Sequence, residues 1–185
     1  MQLYLIRHPR PAVAQGLCYG RSDLALAEDA SIAASALRFL LPENLPLFSS
    51  PLTRCRLLAE ALHSAPQFDA RLQELDFGDW ELRTWDAIGR VALDAWAAQP
   101  LDFAPPGGES VAALRLRVAD FLAELARTNL PSAVLVTHAG VMKACAAELL
   151  RLSTADWFGM QFEFGAVSLI KAGCLVWHNR STHYA

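Results

Sequence analysis

An arginine and a histidine follow directly after a short apolar segment near the start of the chain. Residues 3–6 are apolar and favour a strand, and Arg7 and His8 come next. Pro9 and Pro11 then prevent both a helix and continued strand pairing. In α/β sheets, ligands bind in the crevice outside the carboxyl ends of the strands, which is where these two side chains would lie. A neutral histidine beside a guanidinium group indicates a nitrogen nucleophile acting on an anionic substrate.

Two other segments bring similar side chains to the ends of predicted strands. Ser50 follows a short strand over 45–49 and is predicted to cap a helix, so that Arg54 lies in the first turn of that helix. The buried strand predicted at 133–137 ends on His138. Because the carboxyl ends of parallel strands share one edge of a sheet, we expect both side chains to join the first arginine and histidine. Such a cluster suits a doubly charged tetrahedral anion, since the guanidinium fork matches phosphate geometry.

The elements that must position these side chains alternate along the chain. Apolar patterning predicts strands at 3–6, 45–49, 68–75, 133–137, 167–171 and 174–178, and helices at 28–41, 51–62, 84–98, 110–127 and 141–151. Helices between strands favour an α/β fold with a mainly parallel sheet that is covered on both faces. No interdomain linker interrupts this pattern, so residues 1–185 are predicted to form a single domain.

Composition narrows the classes of function that the chain can have. It has 185 residues, of which 54 % are hydrophobic and 19 % charged, so it can bury a large core. A formal net charge of −3 excludes a general electrostatic attraction to nucleic acid or to membranes, so an anion must be held by a local positive cluster. We expect no signal peptide, and no segment reaches the roughly 18 apolar residues of a membrane span. The sequence therefore predicts a soluble, cytoplasmic protein.

The remaining cysteines and histidines show no metal-site pattern. The four cysteines are scattered, with no CxxC pair and no histidine at ligand spacing, and we expect them to be reduced thiols. His178 and His183, near the C-terminus, are also spaced unsuitably for a strong metal site. The sequence predicts no metal ion and no other cofactor.

Five short motifs occur in an order that resembles the histidine phosphatase superfamily, also called phosphoglycerate mutase-like. Each motif is weak alone, but their order and spacing from residue 3 to about residue 143 are together specific. They are Arg7-His8, SPLTR at 50–54, LQELDFGDWE at 72–81, GGES at 107–110 and THAG at 137–140. The resemblance implies a three-layer α/β/α sandwich around a mostly parallel central sheet.

The resemblance also implies a mechanism. His8 would attack the phosphorus atom and carry the phosphoryl group as a phosphohistidine. Arg7, Arg54 and His138 would hold the other phosphate oxygens and offset charge during transfer. Glu74 matches the proton donor of the family, which would protonate the leaving oxygen and then take a proton from water.

Two roles stay open on the residues alone. Glu81 competes with Glu74 as the proton donor, although the family register, four residues before Gly78, favours Glu74. Arg21, in the long loop over 9–27, is a candidate substrate-binding residue, and a solvated surface arginine is the equal alternative.

The loop after the histidine departs from the family pattern. The family usually has glycine, threonine and asparagine at the positions of Pro9, Pro11 and Ala14, and Leu82 replaces another usual glycine. The loop is therefore stiffer and lacks two polar groups that often help to bind phosphate.

These features predict a metal-independent phosphoric monoester hydrolase that acts on a small phosphorylated metabolite through a phosphohistidine intermediate. In size and in its GDWE segment the chain resembles bacterial α-ribazole phosphatases, which implies α-ribazole 5′-phosphate as the substrate and a role in cobalamin synthesis. Three alternatives stay open: a phosphatase for phosphohistidine in proteins, phosphoryl transfer of the phosphoglycerate mutase type, and a non-catalytic phosphate-binding module. We expect no nucleic-acid or membrane partner, and the sequence predicts no oligomeric state.

Overall fold

A six-stranded sheet forms the centre of the computed structural model, which describes residues 1–181 and therefore does not include His183. The strands are β1 (Gln2–Arg7), β2 (Leu47–Ser49), β3 (Gln67–Phe68), β4 (Ser132–Thr137), β5 (Val167–Lys171) and β6 (Cys174–Arg180). The helices are α1 (Ala30–Arg38), α2 (Thr53–Leu62), α3 (Trp85–Ile88), α4 (Arg90–Ala98), α5 (Val111–Arg127), α6 (Ala139–Leu150) and α7 (Thr154–Gly159).

The order of the strands brings three parallel strand ends to one edge. The sheet runs β3-β2-β4-β1-β5-β6, and its first four strands are parallel while β5 and β6 form an antiparallel hairpin. In the pairing of β1 with β4, Arg7 stands opposite Thr137. His8 and His138, the next residues of the two strands, therefore leave the sheet side by side. β2 pairs with β4 in the same direction, so its carboxyl end lies at this edge too.

Helices cover both faces of the sheet, as predicted. Side chains alternate along β1, so that Leu3 and Leu5 face one layer while Tyr4 and Ile6 face the other. The leucines pack with α5 and α6, and the second pair packs with α1 and α2. The predicted α/β class, with three layers around a mostly parallel sheet, is confirmed.

The amphipathic helix predicted at 110–127 is also confirmed. α5 begins after Ser110, whose Oγ accepts a hydrogen bond from the backbone N–H of Ala113 at 3.1 Å. Its buried stripe consists of Leu114, Val118, Phe121, Leu122 and Leu125. At 17 residues α5 is the longest helix of the described chain, and none of those helices is both long and apolar enough to cross a bilayer.

The strand predicted at 68–75 is wrong for most of its length. Only Gln67–Phe68 pairs with β2. Asp69 then accepts a hydrogen bond from the backbone N–H of Arg71 at 2.8 Å and starts a 3₁₀ turn over Ala70–Leu72. This local side-chain hydrogen bond competes with strand pairing, and the rest of the predicted strand has no regular secondary structure.

Two predicted helices differ from the expected ones. α2 begins at Thr53, and Ser50 does not cap it. Asp23 accepts hydrogen bonds from the backbone N–H of Thr53 at 2.7 Å and from its hydroxyl at 2.8 Å, so a distant loop caps the helix instead. The helix predicted at 84–98 is divided into α3 and α4 by Gly89, whose φ of 91° is incompatible with a continuous helix. α7 has no counterpart among the predicted helices.

Leu135 in β4 is fully buried between the sheet and the layer of α5 and α6. We expect Leu135→Ala to lower the free energy of unfolding by about 2–5 kcal/mol, because it removes buried apolar contacts and leaves a cavity. Denaturant titration followed by circular dichroism measures this change. Leu116→Ala is the control, since Leu116 on α5 is 67 % exposed and should cost less than about 0.5 kcal/mol. Equal losses in the two variants would contradict this placement of the core.

Candidate active site

Two histidines and two arginines meet at the carboxyl edge of the sheet. His8 follows β1 and His138 follows β4, and the centroids of their rings are 5.0 Å apart. Arg7 is the last residue of β1, and Arg54 reaches the same place from the first turn of α2. Arg54 and His138 are 0 % exposed and His8 is 2 % exposed. The fold therefore brings together the four side chains that the strand ends suggested.

His8 is held as a neutral imidazole with one nitrogen free. Its Nδ1 lies 2.6 Å from the carbonyl oxygen of Pro9, which can only accept a hydrogen bond, so Nδ1 carries the hydrogen. The pKa of His8 is well below its ordinary value, first because the ring is buried and second because Arg54 is positively charged. Arg7 acts in the same direction, whereas the hydrogen bond to Pro9 opposes the shift. Nε2 therefore keeps the lone pair that a nucleophile requires.

The two arginines are held by neutral partners. Arg54 donates hydrogen bonds to the carbonyl oxygens of Ser22 at 2.7 Å and Gly20 at 2.5 Å. Arg7 donates to the carbonyl oxygen of Phe162 at 2.6 Å. Within residues 1–181, no carboxylate forms a direct ion pair with either guanidinium. Both charges are therefore available to an anion.

His138 is the second neutral imidazole of the cluster. Its Nε2 lies 2.9 Å from Ser50 Oγ and 3.4 Å from Cys55 Sγ. The pKa of His138 is well below its ordinary value first because the ring is buried and second because protons on both His138 and His8 would repel each other. The positive charge of Arg54 acts in the same direction. A neutral ring can hold a phosphate oxygen only through its single N–H group.

Glu74 places a carboxylate at the beginning of α6. Its oxygens accept hydrogen bonds from the backbone N–H groups of Leu75 and Gly140, both at 3.0 Å. A Cβ atom at Gly140 would overlap with Glu74 Oε1, so the glycine provides the space that the carboxylate fills. Gly140 follows His138 by two residues, so the hydrogen bond from its N–H places the carboxylate beside the cluster. Burial lowers the pKa of Arg7, and the charge of Glu74 opposes this shift.

Arg117 of α5 holds the segment that carries Glu74. Its guanidinium donates hydrogen bonds to the carbonyl oxygens of Arg71 and Gln73, both at 2.6 Å, and of Glu74 at 3.1 Å. Glu109 forms a 2.6 Å ion pair with Arg117. The irregular segment between the 3₁₀ turn and the cluster is therefore anchored to a helix of the outer layer.

Glu81, the competing proton donor, is used inside the protein. Its carboxylate accepts hydrogen bonds of 2.9–3.2 Å from the backbone N–H groups of Gly20, Arg21, Ser22 and Phe77. It also accepts a hydrogen bond from the hydroxyl of Ser22 at 2.6 Å. Burial raises the pKa of Glu81, but these hydrogen bonds outweigh burial and leave the pKa below its ordinary value. Glu81 thus fixes the loop over 20–22, and the carbonyl groups of that loop hold Arg54 of α2.

Arg21 is not among the residues that meet in the cluster. Its guanidinium forms ion pairs with Asp76 at 3.2 Å and Glu109 at 2.8 Å. These pairs join the loop over 20–22 to the segment that follows Glu74. The substrate-binding role of Arg21 stays a prediction, and the contacts of its side chain indicate a structural role.

Phe164 contacts the cluster although no sequence signal marked it. Its ring centroid lies 3.5 Å from the guanidinium carbon of Arg7 and 5.5 Å from the centroid of the His8 ring. An aromatic face stabilises a cation without neutralising it. Ser50 and Gly140 lie within the motifs at 50–54 and 137–140. Ser50 contacts His138 and Gly140 contacts Glu74, and because these partners belong to other segments, only the fold reveals the contacts.

Together these side chains place positive charge and an unprotonated nitrogen at one point, an arrangement that suits a phosphate dianion. The guanidinium groups supply the positive charge, a neutral imidazole supplies the unprotonated nitrogen, and the Glu74 carboxylate interacts electrostatically with Arg7. In the part of the chain that the structure describes, no three His, Cys, Asp or Glu side chains are grouped to hold a metal ion.

The lowered pKa of Glu81 predicts a pH-dependent contribution to stability. Because the folded pKa lies below the unfolded one, Glu81 stabilises the fold above the unfolded pKa, and this contribution is lost as the pH falls through the folded pKa. We expect Glu81→Gln to lower the free energy of unfolding by about 1–3 kcal/mol at neutral pH and by clearly less in acid. Denaturant titrations at neutral pH and at about pH 3 measure the difference.

Glu60→Gln is the matched control for this experiment. Glu60 forms an exposed pair with Arg56 on α2 at 3.1 Å, so its replacement should have little effect at either pH. An identical loss for Glu81→Gln at both pH values would contradict a role for its charge.

Comparison with known proteins agrees with this geometry. The sequence model that describes the histidine phosphatase superfamily (branch 1) matches residues 3–178 of this chain. An adenosylcobalamin/alpha-ribazole phosphatase of Salmonella typhimurium is 30 % identical over 182 residues, which cover 92 % of this chain and 90 % of that protein. A glucosyl-3-phosphoglycerate phosphatase of Mycobacterium tuberculosis is 31 % identical over 176 residues, which cover 84 % of this chain and 78 % of that protein.

A solved structure shows the same architecture. The alpha-ribazole phosphatase from Shigella flexneri superposes with a TM-score of 0.82 at 26 % identity, and the alignment covers 98 % of this chain and 95 % of that one. The family match extends from the second residue of β1 into β6, so it includes every segment that contributes to the cluster. The chain therefore belongs to the histidine phosphatase superfamily, branch 1, and is a phosphatase.

Proposed function

We propose that the protein is a metal-independent phosphomonoesterase in which His8 is the nucleophile. The state of His8 carries this proposal: the ring is buried and neutral, Nδ1 is bound to the carbonyl of Pro9, and Nε2 is free. Arg7 and Arg54, which have carbonyl rather than carboxylate partners, support it because they keep their charge for a phosphate.

In the first half-reaction, Nε2 of His8 attacks phosphorus while the ester P–O bond breaks. The phosphoryl group moves to the histidine, and the leaving oxygen takes a proton from Glu74, which in this proposal enters the reaction as the carboxylic acid. Arg7, Arg54 and His138 hold the three non-bridging oxygens, over which the negative charge of the transition state is spread.

In the second half-reaction, water attacks the phosphohistidine. Glu74, now a carboxylate, takes a proton from the water while the P–N bond breaks. Inorganic phosphate leaves, and both His8 and Glu74 return to their starting protonation states. The same carboxylate thus serves as acid and then as base.

We further propose a small phosphorylated metabolite as the substrate, with α-ribazole 5′-phosphate as the first candidate. The names of the Salmonella and Shigella relatives support this choice, since each aligns with more than nine-tenths of this chain. That substrate would place the reaction in cobalamin synthesis. The mycobacterial relative, at 31 % identity, supports glucosyl-3-phosphoglycerate as the second candidate.

Removal of the nucleophile tests the mechanism. His8→Ala should lower turnover of p-nitrophenyl phosphate by about a thousandfold or more and should abolish acid-labile, alkali-stable phosphate on the protein. Labelling with a radioactive aryl phosphate followed by an alkaline quench measures the second effect. His63→Ala is the control, because His63 follows the last residue of α2, at the end remote from Arg54, and should leave both readouts unchanged.

The outcomes separate the remaining functions. Full activity in His8→Ala would overturn the mechanism. A wild-type protein that binds phosphate but hydrolyses no ester and forms no phosphoenzyme would instead be a binding module. Preferential turnover of a phosphohistidine peptide would identify a protein phosphatase.

The leaving group tests the role of Glu74. Glu74→Gln should slow phosphoenzyme formation from an alkyl phosphate by about 10²–10⁴, since an alkoxide needs a proton in order to leave. It should slow the reaction of p-nitrophenyl phosphate much less, since that phenolate leaves without protonation. Rapid-quench measurements of the phosphorylation step give both rates. If Glu81→Gln rather than Glu74→Gln shows this dependence on the leaving group, the proton donor is Glu81.

A further inference from the structure

A cavity of about 250 Å³ lies beside the cluster and has no role in the mechanism above. Its walls include Tyr19, Phe164, Pro11, Val13, Ala14 and Leu17. This volume is at the small end for a ligand pocket and suits a single ring system rather than an extended ligand.

Two aromatic walls connect the cavity to the cluster. Phe164 contacts Arg7, at 3.5 Å from its guanidinium carbon, and His8, at 5.5 Å between ring centroids. Tyr19 lies on the other side, with its ring centroid 6.0 Å from the guanidinium carbon of Arg54. A phosphate held by the two arginines would therefore have the cavity as its neighbour, and the group esterified to it could extend between the two rings.

The cavity offers carbon surface where the family pattern places polar groups. Pro11 and Ala14 occupy the positions of the usual threonine and asparagine, and neither side chain can donate a hydrogen bond. The polar groups in the side chains of the lining are the guanidinium of Arg10, the amide of Gln15 and the hydroxyl of Tyr19. The guanidinium carbon of Arg10 lies 5.2 Å from the ring centroid of Phe164, a geometry that also suits an aromatic ligand.

The loop that forms the cavity is fixed at both ends. The backbone N–H of Ala12 donates to the carbonyl oxygen of Ala25 at 2.9 Å. At the other end Leu17 forms a bridge with Thr84, directly before α3. The apolar wall is therefore preorganised, which reduces the entropy lost when a ligand binds.

A second cavity of about 580 Å³ also borders Phe164, between α1 and the segment over 164–165. Arg10 lines both cavities, but the lining of the second one also includes the carboxylate of Glu28, which would repel a phosphate ester. The lining does not include Tyr19, so this cavity lacks the wall that contacts Arg54. The smaller cavity is therefore the better neighbour for a bound phosphate.

We propose that the smaller cavity is the leaving-group subsite and that the enzyme selects phosphate monoesters whose alcohol carries an aromatic ring. Esters of small polar alcohols are poorer substrates, because the wall formed by Pro11 and Ala14 cannot replace their lost hydrogen bonds to water. This inference rests on the proposed phosphomonoesterase function, and it names the substrate class of that same site.

The test compares benzyl phosphate with glycerol 3-phosphate, whose alcohol is small, polar and uncharged. Both are esters of primary alcohols, so the chemical step is similar and the difference reports on the subsite. We expect kcat/KM to favour benzyl phosphate by about tenfold or more, as burial of one ring allows. Ala14→Trp, which fills the cavity, should lower kcat/KM for benzyl phosphate by about tenfold. The inhibition constant of inorganic phosphate, a competitive inhibitor, should change by less than about twofold.

Two further variants make the test specific. Ala14→Asn restores the amide of the family pattern with little added volume, and it should lower the preference for benzyl phosphate even if the tryptophan variant does not fold. Ile32→Trp is the matched control, since Ile32 lines the second cavity and is 63 % exposed on α1. It should leave the kinetics of both esters unchanged.

Binding of phosphonates separates failure of the subsite from failure of the proposed function. Benzylphosphonate and methylphosphonate cannot be hydrolysed, and calorimetry gives their Kd in each variant. In one outcome the protein binds benzylphosphonate more tightly than methylphosphonate, loses this difference in Ala14→Trp, and yet hydrolyses no ester. That result would support the subsite and overturn the phosphatase reaction. Hydrolysis of both esters with equal kcat/KM, or a loss in Ile32→Trp instead of Ala14→Trp, would overturn the subsite and leave the phosphatase reaction standing.

Discussion

Buried positive charge without a paired carboxylate is the constraint on which the site depends. Arg54 is completely buried, yet its guanidinium meets carbonyl oxygens, which accept hydrogen bonds from its Nη1 and Nη2 without neutralising its charge. Among the described residues its Nε has no hydrogen-bond partner. Burial, together with the charge of this arginine, keeps His8 and His138 neutral. A buried charge of this kind is costly for folding, and a phosphate dianion would supply the missing counter-charge. The feature that costs stability is therefore also the feature that selects an anion.

Acidic residues support the cluster from one step away. Glu81 accepts hydrogen bonds from the backbone N–H groups of the loop over 20–22, and the carbonyl groups of that loop hold Arg54. In the same way Glu109 pairs with Arg117, which binds the carbonyl groups of the segment that carries Glu74. Carboxylates in direct contact with the arginines would compete with phosphate, whereas carboxylates that act through the backbone give rigidity without neutralising the site.

The unusual loop after His8 leaves the geometry of the cluster intact. Pro9 lacks an N–H group but keeps its carbonyl, and this carbonyl is the group that orients the His8 ring. Pro11 and Ala14 do not contact the four clustered side chains through any hydrogen bond of the described chain, and they line the neighbouring cavity instead. The departures from the family pattern at Pro11 and Ala14 therefore change the neighbouring cavity rather than the contacts of the His8 ring.

Local patterning allowed the sequence to determine the α/β class, most strands and the stripe of α5, because alternation and helical spacing depend on near neighbours. It also determined that arginines and histidines follow parallel strands and so reach one edge. Local patterning failed at 68–75, where Asp69 ends the strand with a side-chain hydrogen bond. Local patterning could not separate Glu74 from Glu81, and it could not find the partners of Arg21. The hydrogen-bond partners of all three side chains lie far away along the chain. Glu74 binds a residue 66 positions away, and Glu81 binds one 61 positions away. Only the tertiary structure decided which carboxylate faces the cluster, because hydrogen-bond partners are set by distance in space and not by spacing in sequence.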